Sequence, residues 1–251
     1  EDFCFEEFAD RVAELVEKHV NINRLLELTK PVATAVVPIS AGRHIYKRES
    51  SFPIAVACDP AFNFVYEANI RYLHHLGEVT YFSPLADTSL PDAGFVYLPG
   101  GYPELYLAAL SANRQMLQSI RRYVESGGKL LAECGGMMYL CDEIRDKNGY
   151  VYPMAGVLHQ SATMENMKLR LGYRTLLYNE TRLKGHEFHY SRLVEQQNPL
   201  PSCAVAYTAK GVETDTPLYH YKNVWAGYTH LYWADPVGNE WFTKFVIDGN
   251  T

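Results

Sequence analysis

Cys134 stands in the run Gly127-Gly-Lys-Leu-Leu-Ala-Glu-Cys134-Gly-Gly-Met-Met-Tyr-Leu140, where an apolar stretch leads to a thiol and two glycines lead away from it. A thiol attacks as its thiolate, and a sharp strand-to-helix turn supplies conditions that favour one. Such a turn lifts the side chain off the carboxyl edge of a sheet, and the N-terminus of the next helix lowers the thiol pKa. The small neighbours Ala132 and Gly136 relieve crowding, and the Gly135 N–H would face a developing oxyanion. A buried cysteine packed as a small hydrophobe fits the same run, so the local pattern leaves both readings open.

A second glycine pair follows an apolar stretch in Tyr97-Leu-Pro-Gly-Gly-Tyr-Pro-Glu104. Its backbone N–H groups suit the other half of an oxyanion hole, although a bare Gly-Gly is also an ordinary turn. It is not a phosphate loop, and GxxxxGK[ST] is absent from the whole chain. The segment Gly185-His-Glu-Phe-His-Tyr-Ser191 gathers two histidines and a carboxylate. As a strand it puts His186, Phe188 and Tyr190 on one face and Glu187 and His189 on the other. No fourth ligand cluster accompanies them and HExxH is missing, so a polar strand satisfied by its neighbours is a plainer reading than a metal site. Cys58 and Cys141 lack the setting of Cys134 and read as structural.

Positioning these residues calls for a scaffold. Phe8, Val12, Leu15 and Val16 recur at helical spacing and predict an amphipathic helix over residues 5–20 that packs against a partner. Residues 31–51, with a polar and basic run at 43–48, read as a linker, and a boundary falls near residue 50. Beyond it come a strand at 54–58, a helix at 63–76, strands at 78–82 and 95–98, a helix at 111–126 and a strand at 129–132. That alternation predicts an α/β fold with a mostly parallel sheet covered by helices. Segments at 174–178, 186–190, 204–207 and 224–228 read as antiparallel strands on the far side of the same domain.

The 251 residues are 47% hydrophobic, enough for a substantial core, and the formal net charge of −6 offers no basic footprint for nucleic acid. Five scattered cysteines without CxxC pairs argue for a reducing cytoplasm, and no apolar run reaches membrane-spanning length. The chain opens on Glu1 rather than Met, as a piece continuing a longer protein would.

Six segments together resemble the cobalamin-pathway branch of class I glutamine amidotransferases, the cobyrinic acid a,c-diamide synthases. They are Cys58-Asp-Pro-Ala-Phe-Asn-Phe64, Phe82-Ser-Pro-Leu-Ala-Asp87, Leu98-Pro-Gly-Gly-Tyr-Pro-Glu-Leu105, Ala132-Glu-Cys-Gly-Gly-Met-Met-Tyr-Leu140, Gly185-His-Glu-Phe-His-Tyr-Ser191 and Tyr228-Thr-His-Leu-Tyr232. The resemblance implies a flavodoxin-like class I glutamine amidotransferase fold, with helices on both faces of a mostly parallel sheet and additional antiparallel strands. It implies that Cys134 attacks the glutamine amide and that His230 activates it, with Gly101 and Gly135 as the oxyanion hole. Without the resemblance, a lone histidine among aromatics reads as packed core. Gly100, Tyr102, His186, Glu187, His189 and Tyr190 become expected substrate contacts, and no metal is expected. Many enzymes of this class follow the histidine with x-Glu, whereas this sequence has Tyr232 there.

The resemblance also implies that residues 1–50 are the tail of an upstream synthetase domain that binds ATP and Mg, and that residues 51–251 are the glutaminase. No cofactor is then expected in this chain. Its partners would be glutamine, its own synthetase domain and, through that domain, cobyrinic acid, with no nucleic acid or membrane. Relatives acting on hydrogenobyrinate or nickel sirohydrochlorin belong to the same branch. A cysteine hydrolase of the same fold and a non-catalytic docking module are the rival readings.

Overall fold

The stripe of apolar residues near the start does form a helix, α1 (Phe5–His19), and Asn21 caps a second, α2 (Ile22–Leu28), by accepting the Arg24 N–H at 2.9 Å. Residues 5–29 and 51–248 are described by this computed structural model; the chain divides into two compact units, residues 1–45 and 46–251. Nearly all of the expected linker over residues 31–51 lies outside the described residues.

In the second unit, four strands lie parallel: β1 (Pro53–Ala57), β3 (Phe95–Leu98) and β4 (Lys129–Glu133), largely buried, and β2 (Glu78–Phe82), an edge strand with only Phe82 buried. Between them run α3 (Glu67–Leu76), a 3₁₀ turn at Pro103–Leu105, α4 (Leu107–Ala112) and α5 (Arg114–Glu125), and α6 (Gly135–Leu140) follows β4. Alternate strand residues divide two cores. Ala55, Val96, Leu98, Leu130 and Ala132 face one side with α5 and α6, while Ile54, Val56, Phe95, Tyr97 and Leu131 face the other with α3.

Short strands β5 (Glu143–Arg145), β6 (Val151–Pro153), β7 (Ser161–Thr163) and, after a long hairpin, β10 (Arg192–Leu193) make a four-stranded sheet. The hairpin itself, β8 (Arg170–Tyr178) and β9 (Thr181–His189), joins β11 (Val205–Thr208), β12 (Glu213–Thr214) and β15 (His230–Leu231) in an antiparallel sheet ordered β12-β11-β8-β9-β15. The remaining strands, β13 (Leu218–Tyr221) and β14 (Val224–Gly227), complete the central sheet as β13-β14-β4-β3-β1-β2, and α7 (Pro236–Thr243) closes the α3 side.

Three expectations are corrected. Residues 224–228 were to be an antiparallel strand on the far side, but β14 pairs parallel with β4 inside the central sheet. All four of its residues are buried, so the alternation that marks a half-exposed strand is absent. Helix α3 begins at Glu67 rather than at residue 63, because Phe64 is instead held to the β3 turn by its N–H donating to the Gly100 carbonyl at 3.0 Å. The helix over 111–126 is two helices, broken at Asn113, whose side chain caps α5. The order β2-β1-β3-β4-β14 is the flavodoxin-like doubly wound arrangement, whose ligand sites form at the strands' carboxyl edge.

Candidate active site

At that edge β4 ends and the chain turns sharply into α6. Cys134 takes φ 48° and ψ −105°, a left-handed conformation that non-glycine residues avoid and that is held only where the surroundings dictate it. Gly136 makes the turn possible: a Cβ there would sit 2.1 Å from the Leu98 carbonyl oxygen. The result is a nucleophile elbow between a buried strand and a helix.

Burial decides the charge state of the thiol. It pushes the Cys134 pKa up to about 12, helped by the negative charge of Glu104 and only partly offset by the Gly135 N–H. The expected lowering by the helix N-terminus is outweighed, since α6 is six residues long and the thiol is buried. In the resting site the S–H points at the Phe188 carbonyl of β9, 3.8 Å away.

His230 is brought to the same cavity by β14 and β15. Its ring stacks obliquely on Phe64 at 4.4 Å and lies over Gly100, where a Cβ would fall 2.2 Å from Cε1. Burial, with the nearby His186 and His189, lowers its pKa to about 3, so it is neutral and able to accept a proton. The segment is fixed by Asn69 of α3, which donates to the Leu231 carbonyl at 2.7 Å and accepts the Trp233 N–H at 2.9 Å.

The two amides expected at the oxyanion lie together: a Cβ on Gly135 would be 3.2 Å from the Gly101 nitrogen. The Gly101 loop is itself held by the loop after β1, where Tyr102 N–H donates to the Ala61 carbonyl at 3.0 Å. Asp59 organises that loop, its carboxylate accepting from the N–H groups of Ala61 and Phe62 and from Ser83 and Leu85 beyond β2.

A cavity of about 270 Å³ is lined by Phe64, Gly101, Tyr102, Cys134, His186, Phe188 and His230. His189 and Tyr190 border a smaller recess on the other side of Cys134, beside Glu104, whose carboxyl pKa is raised by burial. Gly100 acts by admitting the His230 ring. Glu187 lies away from this cavity: its side chain turns to the opposite face of β9, where Arg174, His189 and Thr216 occupy its oxygens. The alternation that put Glu187 and His189 apart from His186 and Phe188 is thus as the strand period requires. Among the described residues no group of three or more His, Cys, Asp or Glu is arranged to hold a metal ion.

Three contributors went unmarked in the sequence. Phe64 and Phe188 wall the cavity, yet nothing in their local pattern distinguishes them from core aromatics. Glu133, next to the nucleophile, is buried under the His230 ring, with its Oε2 4.0 Å from Nδ1. Burial raises its pKa to about 8, against the hydrogen bonds from Tyr97 and Leu231.

A flavodoxin-like sheet with an elbow cysteine, a histidine and two facing glycine amides at its carboxyl edge defines a glutaminase-type α/β domain. Residues 53–237 match the CobB/CobQ-like glutamine amidotransferase domain, and the chain belongs to that family. It is 37% identical over 236 residues to the cobyrinate a,c-diamide synthase of Picrophilus torridus, covering 89% of this chain and 49% of that one. To the hydrogenobyrinate a,c-diamide synthase of Pseudomonas aeruginosa it is 40% identical over 185 residues, covering 71% of this chain and 41% of that one. The chain thus spans about half the length of the relatives it matches. Among solved structures, a glutamine amidotransferase superposes with a TM-score of 0.50 at 18% identity over 77% of this chain and 98% of that one. PurLQS from Thermotoga maritima gives 0.51 at 16% identity over 79% and 97%; these two likenesses concern the fold.

Proposed function

We propose that this chain is the glutamine-hydrolysing part of an ATP-dependent synthase that amidates the a and c carboxylates of cobyrinic acid or its hydrogenobyrinate counterpart. The observation that carries the proposal is the convergence of Cys134, His230 and the Gly101 and Gly135 amides on one cavity. Glutamine enters between Phe64, Tyr102, His186 and Phe188. His230 takes the Cys134 proton as sulfur bonds to the amide carbon, and the oxyanion rests between the two glycine N–H groups. The C–N bond then breaks, His230 returns its proton to the leaving nitrogen, and ammonia departs. Water hydrolyses the glutamyl thioester to glutamate and regenerates the thiol.

The acceptor half belongs to an upstream domain that binds ATP and Mg, activates a corrin carboxylate and receives the ammonia. Residues 1–50 are its tail and linker, and residues 51–251 the glutaminase; the whole works in the cytoplasm. Relatives of about twice this length, named for a,c-diamide synthesis, support that division. The test is labelling by 6-diazo-5-oxo-norleucine, read by peptide mass spectrometry. Modification at Cys134, blocked by excess glutamine and abolished in Cys134→Ser, is the expected result. Labelling elsewhere, or indifference to glutamine, overturns the assignment.

A further inference from the structure

We propose that Glu133 is the positioning carboxylate of the site, holding His230 in the tautomer whose Nε2 is free to take the Cys134 proton. This rests on the glutaminase reading above. The His230 Nδ1 is buried and has no hydrogen-bond partner among the described residues, a state that buried ring nitrogens rarely keep. The Glu133 carboxylate lies 4.0 Å from it, so a side-chain adjustment of about 1 Å brings the pair within hydrogen-bond reach.

That carboxylate is aimed rather than loose. Tyr97 O–H donates to Oε2 at 2.7 Å and Leu231 N–H donates to Oε1 at 3.0 Å. The two donors work against the burial that raises its pKa, each oxygen keeps a lone pair to accept Nδ1–H, and that third hydrogen bond would add to the stabilisation of the ionised form. Tyr97 is held in turn against Trp233, and Leu231 is the residue after His230, so carboxylate and imidazole share a frame. Besides Cys134, the described residues whose charge acts on His230 are His186, His189 and Glu187 of β9, and Glu187 is turned away and committed to Arg174, His189 and Thr216. Glu133 is therefore the acid left to orient the ring. With Nδ1–H bound to Glu133, Nε2 accepts the thiol proton, and the imidazolium that forms meets a carboxylate beside it.

The experiment compares glutamine hydrolysis by the wild-type chain, Glu133→Gln and Glu133→Asp, with ¹⁵N NMR of the His230 ring, assigned by its loss in His230→Asn. The amide variant is expected to lose about 100-fold in kcat with KM within about threefold, and the shorter acid to recover part of that loss. Wild-type His230 should read as the Nδ1–H tautomer and Glu133→Gln as a mixture. A Glu133→Gln kcat within about threefold of wild type, or a wild-type ring protonated at Nε2, overturns the assignment. A carboxylate that merely props Tyr97 and Leu231 would not move the tautomer. Should Glu133→Gln fail to fold, the wild-type tautomer decides alone. A chain in which Cys134 is unlabelled and glutamine is not hydrolysed refutes the glutaminase reading, while the tautomer still decides the role of Glu133.

Discussion

Cys134 and His230 rest as a neutral pair, because burial raises the thiol pKa to about 12 and lowers that of the imidazole to about 3. Both values favour S–H and neutral ring at every physiological pH, so proton transfer waits for the amide carbon to arrive. Alkylation of Cys134 by iodoacetamide should accordingly be slow at pH 7 and climb steadily through pH 10, with the exposed Cys58 reacting first. Peptide mapping over a pH series reads this, and a rate plateau near pH 7 would contradict it. Gly100 makes a second prediction. In Gly100→Ala the added carbon meets the His230 ring, so kcat should fall by about 10- to 100-fold while the melting temperature changes little. Of these residues Cys134 was legible in its flanking glycines, and the distant motifs supplied His230. Glu133 was not, since a strand-end glutamate beside a cysteine looks like any other until Tyr97 and Leu231 are seen to hold it.

Between the elements, single polar side chains hold the loops in place. Asn69 satisfies two buried backbone groups on either side of Tyr232, and Asp59 ties the loop after β1 to the one after β2. Asn69→Ala leaves the Leu231 carbonyl and Trp233 N–H without this partner, at about 1–3 kcal/mol for each group. Urea unfolding should show that loss, and glutamine hydrolysis should fall further than stability alone explains because His230 sits in the released segment. The parallel core from β1 to β4 was readable from its short apolar runs and intervening helices. β14 was not, because Val224, Trp225, Ala226 and Gly227 are all buried and carry no alternation from which to choose a sheet or a direction.

At the scale of the whole molecule, the antiparallel sheet presses one face of β9 on the cavity and keeps charge on the other. Burial alone would raise the Glu187 pKa, but hydrogen bonds from His189 and Thr216 and the Arg174 charge bring it below the usual carboxylate range. A depressed acid contributes stability that is complete above its unfolded value and lost as pH falls through the folded one. Wild-type urea midpoints should therefore drop below about pH 4.5, and Glu187→Gln should be less stable at pH 7 and flatter in acid. A parallel pair of curves would remove this network from the account. Supplied with glutamine, ATP and cobyrinic acid, this chain alone should release no amidated corrinoid by mass spectrometry; diamide formation would refute the division of labour.

The parallel pairing of β14 with β4 has a consequence for synthesis. About ninety residues separate the two strands, so a nascent chain that has just exposed Cys134 carries an open β4 edge and a thiol without its histidine. Chains stopped before Val224 keep that edge unpaired, in the form that recruits other chains. Such fragments should precipitate or be degraded.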